Sequence, residues 1–308
     1  MKIENNIPLS NYSNWKIGGV AHSLIQVDAI SDYVSALEYC TRNYLKPVII
    51  GNTTNVLFND GFLNIALIKL GEAFSTIDYN GENLVVGANV YCPYLAKKAK
   101  DFSLTGFEHI VGIPATLGGL ICMNGGSQRK TISSLVKSVT SIDKSGKLIV
   151  RNINECQFDY RESTFQNKSE LILSVELECN LGNKRKILSE CLSILRERSR
   201  KFPRKKPSCG SVFISHPEMY FKFGPPGKVI EDLGLKGVIV GGAQISPEHA
   251  NFIVNNGGSS AADVLALVRL INDNLENKGM PKLRSEALFI SNGIPNLRLD
   301  EFVSNEKK

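Results

Sequence analysis

No run in this 308-residue chain approaches the roughly 18 apolar residues needed to cross a bilayer, so membrane insertion is unsupported. The opening segment MKIENNIPLSNYSNWKIGG also lacks an apolar core of signal-peptide length. A cytoplasmic protein is therefore expected. The seven cysteines, at 40, 92, 122, 156, 179, 191 and 209, form no CxxC pair and no His-Cys metal spacing. Their odd number cannot pair fully within one chain, and they read as reduced thiols of a reducing compartment. The histidines at 22, 109 and 216 carry no metal pattern, and no metal site is expected. A GxGxxG fingerprint is missing too, which argues against a Rossmann dinucleotide site.

Strong charge of one sign is also absent, the balance of 36 basic and 30 acidic residues leaving a modest +6. Its one concentration is Arg196 to Lys206, RERSRKFPRKK, with seven basic residues in eleven. That run suits either a solvated helix end or an anion such as a diphosphate. Without interleaved aromatics or a nucleic-acid motif it makes a weak case for nucleic acid.

What the chain has is ample apolar material, 43% of its residues, enough to set disorder aside and to fill about two domains. Ser31 is placed to cap a helix running to about Tyr44, with Val34 and Leu37 on its apolar face, and Pro47 opens a short strand through Ile50. The loop Gly51-Asn52-Thr53-Thr54-Asn55 then leaves the carboxyl end of that strand, a common ligand position, before Val56-Leu57-Phe58. Short strands follow at Leu84 to Val86, Val139 to Ile142, Leu148 to Val150 and Leu171 to Leu177, with Ser145-Gly146 as a hairpin turn. Helices are expected over Pro93 to Phe102 and from about Arg185 to Arg200, the second ending at a basic, proline-bearing boundary. In Ser260 to Asn277, Val264, Leu267, Val268, Ile271 and Leu275 follow helical spacing, with Asp263 in the first turn. The fold class is α+β: an N-terminal α/β lobe, a β-rich middle and an αβ C-terminal block.

Gly112-Ile113-Pro114-Ala115-Thr116-Leu117-Gly118-Gly119, followed by Met123-Asn124-Gly125-Gly126-Ser127, concentrates five glycines and a proline in sixteen positions. Such a segment can bring backbone N–H groups close to a diphosphate. It can equally be a set of structural turns beneath a core helix. Taken with the hydroxyls and amide of the Gly51 loop, it makes two loops able to grip one dinucleotide.

These motifs resemble those of the UDP-N-acetylenolpyruvoylglucosamine reductase (MurB) family. NYSNWKIGG is similar to its N-terminal NTT-x-x-IGG segment, GNTTNVL to its Gly-x-Gly-Ser-Asn flavin loop, and GIPATLGG with MNGGS to its second flavin loop. Tyr160-Arg161-Glu162-Ser163-Thr164-Phe165 matches YR-x-S-x-F, Pro207 to Phe213 matches PSxGSVF, and Gly241 to Asn255 matches GGAQ…HANFIVN. The order is kept from residue 11 to about 290. The resemblance implies a two-lobed FAD-binding fold of the vanillyl-alcohol-oxidase/PCMH type, with lobe 1 over residues 1–70 and lobe 2 over 71–205. A C-terminal αβ substrate-binding domain over 206–290 and a tail over 291–308 would follow.

The function implied is reduction of UDP-N-acetylglucosamine enolpyruvate to UDP-N-acetylmuramate, with bound FAD and NADPH as co-substrate, in peptidoglycan precursor synthesis. NADPH would reduce the flavin, whose N5 would give hydride to the enolpyruvyl C3. Carried over residue by residue, Arg161 would polarise the substrate carboxylate, Glu286 would stabilise the enolate, and Ser211 would deliver the proton to C2. FAD contacts would come from Gly51, Asn52, Thr53, Thr54 and Asn55, and from Gly112, Ile113, Pro114, Thr116, Gly118, Gly119, Asn124 and Gly125. Tyr160, Gln244 and Asn251 would bind substrate, and His249 reads equally as a structural histidine.

The chain departs from the family at Thr53, which stands for the loop's second glycine, and at Thr54, Ala115 and Ile214 to Pro217. A β-branched residue disfavours positive φ, so the first loop is expected to close differently or to grip FAD less tightly. Alternatives are a paralogue reducing a related enolpyruvyl nucleotide-sugar and a non-catalytic flavin binder.

Overall fold

The computed structural model describes residues 1–306 apart from 167, 169, 204, 216, 294 and 295. Arg204 of the basic run and His216 of the altered segment thus lie outside the described residues. Contacts group the chain into two compact units, one of Met1–Asn5, Ser23–Asn52 and Ile65–Arg200, the other of Asn6–His22, Thr53–Asn64 and the residues from Lys201 onward. The loop 51–55 therefore changes unit between Asn52 and Thr53.

In the N-terminal unit the helix Ile30–Arg42 leads into the strand Lys46–Ile50, which runs parallel to Phe62–Leu70. The four-stranded order is Lys2–Pro8, Val20–Val27, Phe62–Leu70, Lys46–Ile50. Pro47 sits within the last strand rather than opening it, which is tolerated because this is an edge strand. The helix begins one residue before Ser31, with Ala29 as its N-cap. The Asp32 carboxylate reaches back to accept from the N–H groups of Asp28 and Ala29, both at 3.0 Å. Its buried stripe is Tyr33, Ala36 and Cys40, with Leu37 at the margin.

The unit's second sheet has the order Leu148–Asn152, Val136–Ile142, Leu171–Leu177, Leu84–Gly87, Ile77–Tyr79, antiparallel throughout. Its hairpin closes where expected, Gly146 supplying φ +86°. Both sheets and the helix Cys92–Asp101 feed one core in which Ile68, Val86, Leu95, Val139 and Val175 are buried. A buried ion pair, Arg151 to Glu170, ties Leu148–Asn152 to the approach of Leu171–Leu177.

The C-terminal unit is organised on the helix Ala261–Asn277, whose predicted stripe Val264, Leu267, Val268, Ile271 and Leu275 is wholly buried. Ser260 and Asp263 form a capping box, and Asp60 accepts from the N–H groups of Ala261 and Ala262. Two small sheets pack in the same core. One has the order Ile239–Val240, Ala243–Ile245, Ile253–Asn255; the other is Leu297–Arg298, Leu288–Ile290 and Val56–Phe58, the last pair parallel. Trp15 is fully buried here, donating from Nε1 to the Ile253 carbonyl at 2.7 Å, and Asn255 returns a bond from Nδ2 to the Trp15 carbonyl at 3.0 Å. No helix among the described residues is long and apolar enough to cross a membrane.

Candidate active site

The two glycine loops form one surface within the N-terminal unit. A Cβ on Gly51 would overlap the Thr116 hydroxyl, and Asn52 Nδ2 donates to the Pro114 carbonyl at 3.2 Å. The second loop is fixed from beneath, Leu117 and Gly118 donating from N–H to the Val90 and Ala88 carbonyls at 2.8 Å. Thr116 caps the short helix Leu117–Cys122, accepting from the Gly119 N–H. Ala115 stays out of the left-handed region, so its methyl group meets no backbone penalty.

Glycine is required for different reasons along these loops. A Cβ on Gly112 or Gly125 would come within 2.5 Å of Arg198 or Leu120, one on Gly126 would overlap the Lys130 carbonyl, and one on Gly118 would lie 3.1 Å from Ala88 Cβ. At Gly119 the nearest atom is Thr116 Oγ1 at 3.4 Å, ordinary contact. The chain's own packing thus accounts for Gly51, Gly125 and Gly126, whereas the long Arg198 side chain beside Gly112 has room to give way. Gly119 keeps a side-chain-sized space that packing does not need, as a surface approached by a cofactor would.

Arg161, at φ +60°, is fastened to the end of the second loop. Its guanidinium donates to the Asn124 and Gly126 carbonyls at 3.4 and 3.3 Å and stands 5.3 Å from the centroid of the exposed Tyr160 ring. Asn124, also left-handed at φ +40°, donates from Nδ2 to the Asp159 carbonyl at 2.8 Å. Ser163 and Gln166 both bond the Cys122 carbonyl, so the YRESTF segment clasps the MNGG segment as a unit.

In the C-terminal unit Ser211 follows Gly210, whose φ of +85° explains that glycine, since a Cβ there would meet nothing. The Ser211 and Glu286 segments run side by side. Glu286 N–H donates to the Val212 carbonyl at 2.7 Å, Phe213 bridges Ser285, and Ile214 N–H donates to the Arg284 carbonyl at 2.9 Å. Asn55, expected on the flavin, gives its side-chain amide to the Glu286 carbonyl at 2.9 Å. Burial, and after it the charge of Glu286, pushes the Cys209 thiol well up.

Thr53 adopts the left-handed conformation despite its branched Cβ. It holds φ +51°, donating from its hydroxyl to the Tyr12 carbonyl at 2.7 Å and accepting from Asn14 N–H at 3.2 Å. Gln244 is engaged elsewhere, with Gly237, Lys206 and Asn256. Asn251 is 5% exposed and turns its amide to the backbone of Phe213 rather than to the surface. His249 packs edge-on to Phe202 and Phe252, and burial holds its pKa below the usual value, as befits a structural histidine.

Residues 202–290 match the family model for the C-terminal domain of UDP-N-acetylenolpyruvoylglucosamine reductase, and residues 21–151 match an FAD-binding domain. A Corynebacterium glutamicum protein named UDP-N-acetylenolpyruvoylglucosamine reductase 1 is 39% identical over 94% of this chain and 87% of its own length. This chain belongs to the UDP-N-acetylenolpyruvoylglucosamine reductase family. A second member, from Alkaliphilus oremlandii, is 36% identical over 92% of this chain and 91% of its own. The crystal structure of the reductase from Thermus caldophilus superposes with a TM-score of 0.81 at 31% identity, covering 94% of this chain and 99% of that one. The two-lobed flavin fold with a C-terminal reductase domain is thereby shared, and FAD is its cofactor.

Proposed function

We propose that this chain reduces UDP-N-acetylglucosamine enolpyruvate to UDP-N-acetylmuramate with NADPH, through FAD, in peptidoglycan precursor synthesis. The observation that carries this reading is the side-by-side placement of the Ser211 and Glu286 segments through Val212, which sets a hydroxyl and a carboxyl on adjacent segments of one domain.

The glycine loops suit a bound dinucleotide: Gly51 and Asn52 lie against Thr116 and Pro114 of the second loop, and Gly119 leaves room for a side chain that is absent. When bound, FAD supplies hydride transfer from the nicotinamide to the enolpyruvyl C3. An enol ether accepts hydride only if the charge appearing at C2 can spread into the neighbouring carboxylate. Arg161 provides a fixed cation for that carboxylate, and Glu286 stabilises the enolate by hydrogen bonding. Ser211 then gives its proton to C2. Tyr160 lies beside Arg161 and lines the substrate's approach. In this assignment residues 1–70 and 71–205 serve the flavin and 206–290 the nucleotide-sugar. The basic run serves as a solvated helix end, with Gln128 bonded to Glu197 and Lys206 to Gln244, and no nucleic-acid role is assigned to it.

The test is the visible spectrum of the purified protein under anaerobic conditions. Bands near ~370 and ~450 nm should bleach with NADPH and return with UDP-N-acetylglucosamine enolpyruvate. Bleaching without return would point to another acceptor. A protein that stays colourless after FAD is added would end the reading.

A further inference from the structure

The HANF segment, singled out in the sequence, is bonded to the backbone of the Ser211 segment. His249 Nδ1 accepts from Asn251 N–H at 3.2 Å, which fixes the backbone of Asn251. The Asn251 amide then brackets one residue of the Ser211 segment: Oδ1 accepts from Phe213 N–H and Nδ2 donates to the Phe213 carbonyl, each at 2.9 Å. Its own carbonyl accepts from Val212 N–H at 2.8 Å. On the opposite edge Val212 and Phe213 meet Glu286 and Ser285.

Three strand-like segments thus lie in the order Asn251, Ser211 to Phe213, Ser285 to Glu286. The middle one carries the proton donor two residues from where the amide grips it. Gly210, left-handed and with open space around it, puts a flexible joint immediately before Ser211, so the segment's placement depends on what holds its far side.

We propose that Asn251 is a positioning residue, setting the register of Ser211 against Glu286 rather than binding the nucleotide-sugar. This rests on the reductase reading above. Removing the amide leaves Phe213 N–H and C=O without their partner and frees the Ser211 segment to shift, and a displacement of about 1 Å at a proton donor is enough to slow the step it serves by about 10²-fold. Reduction of the cofactor by NADPH needs neither Ser211 nor this register, whereas its reoxidation by the enolpyruvyl substrate is coupled to the proton that Ser211 delivers to C2.

The test uses the FAD-loaded full chain, with Asn251→Ala and Asn251→Asp beside the parent. Alanine removes both amide contacts, while aspartate keeps the acceptor for Phe213 N–H and sets a second acceptor against the Phe213 carbonyl. Three quantities are measured: bleaching by NADPH, colour return on UDP-N-acetylglucosamine enolpyruvate in H2O and D2O, and affinity for UDP-N-acetylmuramate from perturbation of the oxidised flavin spectrum. Positioning predicts colour return slowed about 10- to 100-fold with an enlarged solvent isotope effect, while bleaching and product affinity stay within about threefold of the parent. Loss of product affinity matching the loss of rate would make Asn251 a substrate contact and overturn the proposal, as would unchanged colour return. Should alanine prevent FAD retention, the aspartate variant decides by the same criteria. A parent whose colour does not return removes the functional reading itself, a result separate from a defect confined to the variants.

Discussion

The Thr53 hydroxyl donates to the Tyr12 carbonyl at 2.7 Å while the Thr53 backbone holds φ +51°, a conformation that β-branched residues rarely adopt. The strain is of order 1–3 kcal/mol, and the two side-chain bonds, to Tyr12 and from Asn14, offset it at roughly 0.5–1.5 kcal/mol each. Thr53→Gly removes strain and bonds together, and its stability should stay within about 1 kcal/mol of the parent. Thr53→Val keeps the strain and loses both bonds, and should destabilise by about 2–3 kcal/mol. Urea denaturation of both variants checks this, and equal stabilities would show that the hydroxyl contributes nothing.

The glycines of the flavin loops separate packing from cofactor contact. Gly51→Ala drives a methyl group into Thr116, so it should lower stability by about 1–3 kcal/mol even without FAD. Gly119→Ala meets only a 3.4 Å contact within a helix, where alanine is favoured by about 0.5–1 kcal/mol. Its FAD-free form should be as stable as the parent while its FAD dissociation constant rises. If FAD titration gives the parent's affinity, Gly119 does not face the cofactor.

Ser211→Ala distinguishes the proton donor from the rest of the site. The variant should bleach with NADPH at the parent's rate, and its colour return on the enolpyruvyl substrate should slow by at least about 10²-fold, the lower range for positioned acid catalysis. Stopped-flow absorbance resolves the two phases. Equal return rates in variant and parent would remove Ser211 from the mechanism.

Where local pattern decides the outcome, the sequence was sufficient. Leu171–Leu177 has its predicted bounds, and the stripe from Val264 to Leu275 is the buried face of its helix. The helix start at Ile30 was less legible because Asp32, not Ser31, satisfies the free N–H groups, and both residue types suit the task. The motif residues were visible in the sequence, but their partners were not. That Gly51 gives way to Thr116, that Thr53 is held by Tyr12, and that Asn251 faces Phe213 all depend on neighbours 38 or more positions away. No local propensity encodes such distances. The conformation of Thr53 was hidden for the same reason: its intrinsic preference, taken alone, lacks the two bonds that tertiary structure supplies.

Two histidines, His109 buried and His249 half-buried, set how stability depends on acid. His109 is 1% exposed; its Nδ1 lies 2.8 Å from the Gly106 carbonyl and so carries the proton, while Nε2 has no hydrogen-bond partner among the described residues. Burial lowers its pKa, the Gly106 bond opposes this, and Lys130 adds to the lowering. His249 is lowered by burial as well. For a base whose folded pKa lies below the unfolded 6.5, the unfolded chain takes up protons first as pH falls, so stability is full above 6.5 and declines below it. The depressed carboxylates Asp32 and Asp263 act in a lower window, beginning near their ordinary value of 3.8. Urea denaturation between pH 8 and pH 5 should therefore show a loss of stability that starts near 6.5, and His109→Gln, which cannot titrate, should flatten that slope whatever it does to stability at pH 8. A slope unchanged in His109→Gln would mean that His109 takes up its proton as readily in the folded protein as in the unfolded chain, and that burial does not depress it.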